Sequence, residues 1–434
     1  MEIKIAKYPK DVEQLLLRNS HDSNEIFDIL MTVDNIMDDV MSNEDEAVLK
    51  YERSFDCPTL NQLKVEPAEF DEAETAISPE LKAAMEVAAG NIRKFHAAQL
   101  MKPIEVETTP GVVCMQKAVA LDTVGLYVPG GRAPLFSTVL MLAIPARLAG
   151  CRRIVMCTPP DRDGKVAAAI LVAARMTGVT DVYKAGGAQA IAAMAYGTET
   201  IPKVNKIFGP GNVYVMLAKA QAAKSARVQV DLPAGPSEVM IVADDSANPT
   251  FVAADFLSQA EHGPDSQSML VTTSERLAEA VAAKTMEMAG QLPRRSLIER
   301  SLATSHIIVV RTDDEMMDIA NRYAPEHLII NHRLADHLAD MVRNAGSVFV
   351  GQYACESAGD YASGTNHTLP TSGFAKTYSG VNIDSFQKKI TFQRISHEGI
   401  NALGPVIATM ADGEGLQAHK LAVTVRMNNN DKQQ

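Results

Sequence analysis

Tryptophan is absent, and aromatic residues fill only 5% of the 434 positions, so the stacking platforms used for single-stranded nucleic acid or sugars are missing. Positive charge is in deficit. Forty-one Lys and Arg face 53 Asp and Glu, and a net charge of -12 argues against DNA, RNA or an anionic membrane as partner. Cysteine is scarce as well. Cys57, Cys114, Cys151, Cys157 and Cys355 are odd in number, widely spread and without a C-x-x-C pair, which excludes a disulfide framework and a thiolate zinc site. The longest apolar stretch, Leu135 to Leu148, carries Pro145 and Arg147 and is too short to span a bilayer. Met1-Glu2-Ile3-Lys4 opens no secretory signal. The expectation is a reduced, cytoplasmic protein with ordinary globular composition (46% apolar, 22% charged) and two or three domains.

What is present is patterned. The first 120 residues read as mainly helical, over Val12 to Arg18, Ile26 to Val40, Glu44 to Arg53 and Pro79 to Leu100, with Ser78 as an N-cap. From about Thr123, short β-branched runs alternate with Ala-rich amphipathic segments. One series runs through Val124–Val128, Arg153–Cys157, Asp181–Lys184, Lys206–Phe208 and Val228–Val230. A second runs through Glu238–Val242, Ser268–Thr272, His306–Val310, His327–Ile330 and Ser347–Val350. Such alternation predicts an α/β protein with two doubly wound parallel sheets. A polar loop from Gly351 to Ser379 and a helical tail from Asp384 to Met427 complete the chain.

Ligands of open parallel sheets sit beyond the carboxyl ends of strands, and four glycine-bearing loops follow strands of the first series. They are Val128-Pro129-Gly130-Gly131, Ala185 to Gln189, Phe208 to Asn212 and Leu232 to Glu238. Each alone fits a tight turn; together they point to a nucleotide, although G-x-G-x-x-G is missing. Eight of the ten histidines fall between His262 and His419. Gln259 and His262 lie one helical turn apart before Gly263-Pro264, as half of an oxygen- and nitrogen-donor metal site for Zn, Mn or Mg would. A helix-terminal histidine bonded to carbonyls is the plainer reading. Glu326-His327 places a carboxylate beside an imidazole at a strand entrance, an acid-base pair if the strand starts irregularly. The loop Glu356 to His367 is dense in possible ligands, and Glu414 and His419 flank Gly415 in the tail.

In this order, G-L-Y-V-P-G-G (125–131), G-G-A-Q-A (186–190), F-G-P-G-N (208–212), D-L-P-A-G-P-S-E (231–238), S-Q-A-E-H-G-P-D-S-Q (258–267), P-E-H-L (325–328) and S-A-G-D-Y-A-S-G-T-N-H (357–367) resemble the histidinol dehydrogenase family. The resemblance runs from about Asn35 to Val425. It implies NAD-dependent oxidation of L-histidinol, through the aldehyde, to L-histidine, the last steps of histidine biosynthesis. It implies zinc, one per subunit, held by Gln259, His262, Asp360 and a partner-donated His419 in an intertwined homodimer. Glu326 and His327 match the acid-base pair. Substrate contacts carry over to Ser237, Gln259, His262, His327, Asp360, Glu414 and His419, and NAD contacts to Tyr127, Gln189 and Asn212.

The implied fold is two incomplete Rossmann-like doubly wound domains with small N- and C-terminal helical pieces. The first domain takes 29–122 and 239–380 with the zinc and acid-base residues, the second takes 123–238 with NAD, and 1–28 and 381–434 are the terminal pieces. Residues before about 30 carry no family motif, so their role is not assigned. In the implied chemistry His327 is the base and Glu326 activates the water that hydrates the aldehyde. A thiohemiacetal on Cys114 or Cys151 is the competing route, disfavoured because neither lies in a loop beside a base. Two other readings are a dehydrogenase for another small alcohol, such as a sulfonated diol, and a non-catalytic metal- or nucleotide-binding protein. Glu414 favours an amino group over a sulfonate as ligand.

Overall fold

A computed structural model describes residues 3–9, 12–18, 23–130, 133–233 and 235–427. Gly131 and Ala234, of two glycine-bearing loops, and part of the piece 1–28 and of the tail lie outside the described residues.

The chain opens on β1 (Lys4–Lys7) and α1 (Val12–Leu15), followed by α2 (Ser23–Phe55), α3 (Pro67–Ala76) and α4 (Pro79–Ala97). Ser78 caps α4, accepting from Leu81 N at 3.1 Å, and Pro79 occupies the first turn, where its missing N–H costs nothing. A hairpin of β2 (Ile104–Thr109) and β3 (Val112–Ala120) precedes the first alternating series. That series is β4 (Thr123–Tyr127), α5 (Phe136–Ala149), β5 (Arg153–Thr158), α6 (Ala168–Met176), β6 (Asp181–Lys184), α7 (Gly187–Tyr196), β7 (Lys206–Phe208), α8 (Val213–Ser225) and β8 (Gln229–Val230). The second is β9 (Glu238–Ala243), α9 (Pro249–Ala260), β10 (Gln267–Thr272), α10 (Glu275–Ala289), α11 (Arg295–Leu302), β11 (His306–Val309), α12 (Asp313–Tyr323), β12 (His327–Asn331), α13 (Ala335–Asp340) and β13 (Ser347–Val350). The chain ends with α14 (Glu356–Tyr361), β14 (Gln387–Ile395), α15 (His397–Gly413) and α16 (Gln417–Met427).

The two series form two fully parallel sheets, ordered β6-β5-β4-β7-β8 and β1-β11-β10-β9-β12-β13. Counted within each series, both orders read 3-2-1-4-5, the Rossmann order without its sixth strand. The expected α/β class and paired Rossmann-like sheets are therefore present, and the halves repeat one architecture. Every residue of β9 and of β10 is buried, as central parallel strands covered on both faces require.

The expected domain membership needs correction. Helices α2 and α4 of segment 29–122 pack on the five-stranded sheet, not on the six-stranded one. Ile29, Val33, Ile36 and Val40 of α2 pack with Val155 and Ile191 on one face of the five-stranded sheet. Met85, Ala88 and Ile92 of α4 pack with Val139 and Leu142 on the other. The apolar stripes of these helices show that they cover a sheet but not which one. The piece 1–28 opens with a strand, because β1 extends the six-stranded sheet beside β11. The tail is not wholly helical either: β14 pairs antiparallel with β3 along its whole length, giving a third sheet ordered β14-β3-β2. The long polar loop contains a short helix of its own, α14, and a 3-10 turn at Phe374–Lys376.

This arrangement sets two edges together. Residues 231–237 carry the chain from the carboxyl end of β8 to the amino end of β9. The carboxyl edge of the five-stranded sheet thereby adjoins the amino edge of the six-stranded sheet.

Candidate active site

At the carboxyl edge, backbone dominates. Gly209 sits at φ 121°, and a Cβ there would collide with the Tyr127 carbonyl, so the loop after β7 accepts only glycine. Gly209 N donates to Asp231 Oδ2 (2.7 Å) and its carbonyl accepts from Lys219 Nζ (3.0 Å), while Lys219 and Asp231 form a buried ion pair. Asn212 caps α8 by accepting from Val215 N at 3.1 Å. Tyr127 ends β4, and its hydroxyl accepts from Gly187 N at 3.1 Å. Gln189 is only 1% exposed; it lies behind the loop, with Nε2 donating to Glu52 at 2.8 Å. Gly186 N donates to the same Glu52 oxygen at 2.7 Å. A carboxylate from α2 thus already faces the start of α7, a place the sequence marks as favourable to phosphate. Burial pushes the Glu52 carboxyl up to about 7.

At the amino edge, side chains dominate. Ala324, in the left-handed region (φ 56°), ends α12, and Pro325 follows, giving β12 the irregular entry that an adjacent acid-base pair needs. Both Glu326 and His327 are buried and meet the start of β9. Glu326 accepts from Glu238 N at 2.9 Å, and His327 Nδ1 lies 3.2 Å from Glu238 O. The two side chains approach to 3.6 Å. His327 Nε2 is buried with no well-aligned hydrogen-bond partner; Asp360 Oδ1 stands 3.4 Å away. Burial alone opposes charge on the ring, but Glu326, Glu356 and Asp360 outweigh it and raise its pKa to about 10. Burial pushes Glu326 and Glu356 up to about 8.

Helix α9 ends just before His262, and α14 presents Glu356 and Asp360 from consecutive turns. His262 Nε2 is 4.0 Å from an oxygen of each, and the three ligand atoms lie within 4.8 Å of one another. The Gln259 amide reaches the same carboxylate. With its NH2 on Glu356 (2.5 and 3.1 Å), its carbonyl accepts from Glu238 N at 3.2 Å; turned over, the carbonyl joins Glu356 in facing a cation. One imidazole, two carboxylates and an amide, with no thiolate, are a donor set suited to zinc, and the crowded buried acids call for positive charge. Ser237 stands next to Glu238, half-buried, at the same edge.

The remaining expected residues are elsewhere. Glu414 and His419 are exposed on the tail, where α16 packs on α15, and no cluster with His262 includes them. Cys114 lies in β3 and Cys151 is buried with its thiol pushed up to about 11, so neither offers a thiolate to this edge.

The seven motifs thus supply one pair of adjoining edges, and comparison with known proteins accounts for them together. The histidinol dehydrogenase family profile matches residues 18–427. The chain belongs to the histidinol dehydrogenase family. A histidinol dehydrogenase of Bacteroides fragilis is 56% identical over 427 residues, covering 98% of this chain and 99% of that protein. One from Escherichia coli is 50% identical over 416 residues, covering 96% and 94%. The crystal structure of histidinol dehydrogenase from Elizabethkingia anophelis superposes with a TM-score of 0.94 at 47% identity, covering 98% of each chain. Family membership makes the chain an enzyme, an oxidoreductase. Among the described residues no helix is long and apolar enough to cross a membrane.

Several residues of this histidinol dehydrogenase family site escape sequence reasoning. Glu356 stands in a noted loop, but only α14 turns it toward His262. Glu52 is an unremarkable acid near the end of a helix in the sequence. Arg18 pairs with Glu238, whose carboxylate also accepts from Ser372 N at 3.1 Å, and donates to Tyr323 O at 2.7 Å. The otherwise unassigned N-terminal segment therefore braces the floor of the site.

Proposed function

We propose that the chain oxidises L-histidinol through L-histidinaldehyde to L-histidine, using two NAD+ and one water. The observation that carries the reading is the buried Glu326–His327 pair beside the convergent His262, Glu356 and Asp360. Zinc would be held by Gln259, His262 and Asp360, with His419 of the partner subunit completing the set. When bound, it supplies positive charge and open positions for the substrate's imidazole and amine. NAD+ supplies the hydride acceptor, along the loops bearing Tyr127, Gln189 and Asn212. Gln189 acts there through Glu52 and the loop backbone, given its burial.

His327 Nε2 removes the hydroxyl proton while hydride leaves the carbinol carbon, giving aldehyde, NADH and a proton. Countercharge beside Asp360 and Glu356 lowers the ring's proton affinity, so the neutral imidazole is available for this role. Glu326, 3.6 Å from His327, takes a proton from water as it adds to the aldehyde. His327 then deprotonates the gem-diol as the second hydride leaves, giving the carboxylate. Ser237, His262, Asp360, and Glu414 and His419 of the partner subunit, orient the substrate.

The apolar surface of the tail supports a homodimer. Val406, Met410, Leu416, Leu421 and Val425 are exposed on α15, α16 and their connection, a patch that a partner subunit would cover. The test is stoichiometry: purified enzyme with limiting L-histidinol should yield two NADH and one L-histidine per substrate. One NADH, or turnover of a sulfonated diol instead, would overturn the assignment.

A further inference from the structure

His367 has no place in the mechanism above, yet it lies seven residues beyond Asp360 in an unusual set of contacts. Its Nδ1 is 2.9 Å from the Asp360 carbonyl, which can only accept, so Nδ1 carries the proton. Nε2 of the neutral ring therefore accepts, and Thr138 Oγ1 stands 3.3 Å away as its donor. Thr138 belongs to the first turn of α5, the helix that follows the Val128–Gly130 loop. The neighbouring Asn366 reaches deeper into that helix. Pro145 has no N–H, so the Met141 carbonyl lacks its donor from within α5. Asn366 Nδ2 supplies it at 2.6 Å, and Asn366 Oδ1 is fixed by Thr368 N at 2.9 Å. From α4, Asn91 Nδ2 donates to Ala362 O at 2.9 Å, just past the end of α14.

Bonds to α4 and α5 thus tie the segment carrying Glu356 and Asp360 to helices of the other half. We infer that Asn366 and His367 are positioning residues. They set the separation between Asp360 and the glycine loops, and so between the substrate-holding edge and the dinucleotide-holding edge. The inference rests on the proposed function for its kinetic consequence but not for its geometry. Misplacing reacting groups by about 1 Å costs up to about a hundredfold in rate.

Thr138→Val removes the donor to Nε2 with little change of shape, and His367→Ala removes the whole link. Each is expected to bind one zinc per chain with wild-type affinity in a chelator competition. Each should keep KM for histidinol within about threefold while kcat falls about tenfold or more, with a larger substrate deuterium isotope effect as hydride transfer slows. The double variant should be no worse than His367→Ala. Amide hydrogen exchange across 356–368 should speed up in both single variants, a readout that needs no turnover. Unchanged exchange, or unchanged kcat with an unchanged isotope effect, would overturn the inference. Loss of zinc affinity would also overturn it, by placing the role at the metal. Failure of wild-type enzyme to oxidise histidinol would instead overturn the proposed function and leave the exchange result to decide this one.

Discussion

The two halves share a strand order, but opposite edges of their sheets adjoin. The five-stranded half uses its carboxyl edge, where glycine loops present backbone. The six-stranded half uses its amino edge, where β9 and β12 begin with Glu238 and His327. Its own carboxyl edge, the usual ligand crevice of such sheets, carries ion pairs. There Arg333 pairs with Asp244 and Asp245, and His332 Nε2 lies 3.7 Å from Asp244 and 3.3 Å from Asp313. In the proposed function one repeated fold serves two chemistries. A nucleotide needs close backbone approach, whereas proton transfer needs titratable side chains held out of water.

The largest effect should come from the amino edge. Glu326→Gln and His327→Asn should each lower kcat/KM for histidinol by about 10²–10⁴ without loss of fold by circular dichroism. An effect below tenfold in both would detach the chemistry from this edge. At the carboxyl edge, Gly209→Ala should act through backbone. The left-handed φ and the collision with Tyr127 O predict destabilisation of roughly 2 kcal/mol or more, measurable by urea unfolding. A variant as stable as wild type would show the loop to be adaptable.

Glu52 gives a pH signature to the five-stranded half alone. Its carboxyl titrates near 7 in the fold against 4.5 in its ordinary state, so between those values the folded chain binds the extra proton. Stability contributed by this group is therefore lost as pH rises from 4.5 to 7, by roughly 3 kcal/mol. Glu52→Gln should flatten that decline in a series of unfolding curves, and a slope identical to wild type would contradict it. The smallest effect should come from Arg333→Ala at the ion-paired carboxyl edge: a slight fall in Tm with kcat and both KM values unchanged. A raised KM for NAD+ there would mean that this edge binds the dinucleotide.

Much of this was legible in the chain because motifs and periods are local. The alternating series located ten of the eleven strands of the two parallel sheets to within a few residues, all but β1, and Gln259, His262, Glu326, His327 and Asp360 stand at motif positions that the fold gathers. What local pattern does not carry is pairing. Strand β14, Gln387 to Ile395, is mostly exposed and finds its partner β3 far back along the sequence, so it merged with the helices that follow. The apolar faces of α2 and α4 do not name the sheet they cover. Glu52 and Glu356 look like surface acids until distant segments bury them. Glu414 and His419 are the reverse case: implied by the family resemblance, yet outside the His262 cluster within one chain.

The most direct test is a crystal structure of the zinc-loaded enzyme with NAD+ and L-histidinol. The account predicts the dinucleotide along Tyr127, Gly130 and Gly209, its nicotinamide facing His327 across the cleft. A dinucleotide seated instead beside Asp244 and Arg333 would contradict the division of labour between the two halves.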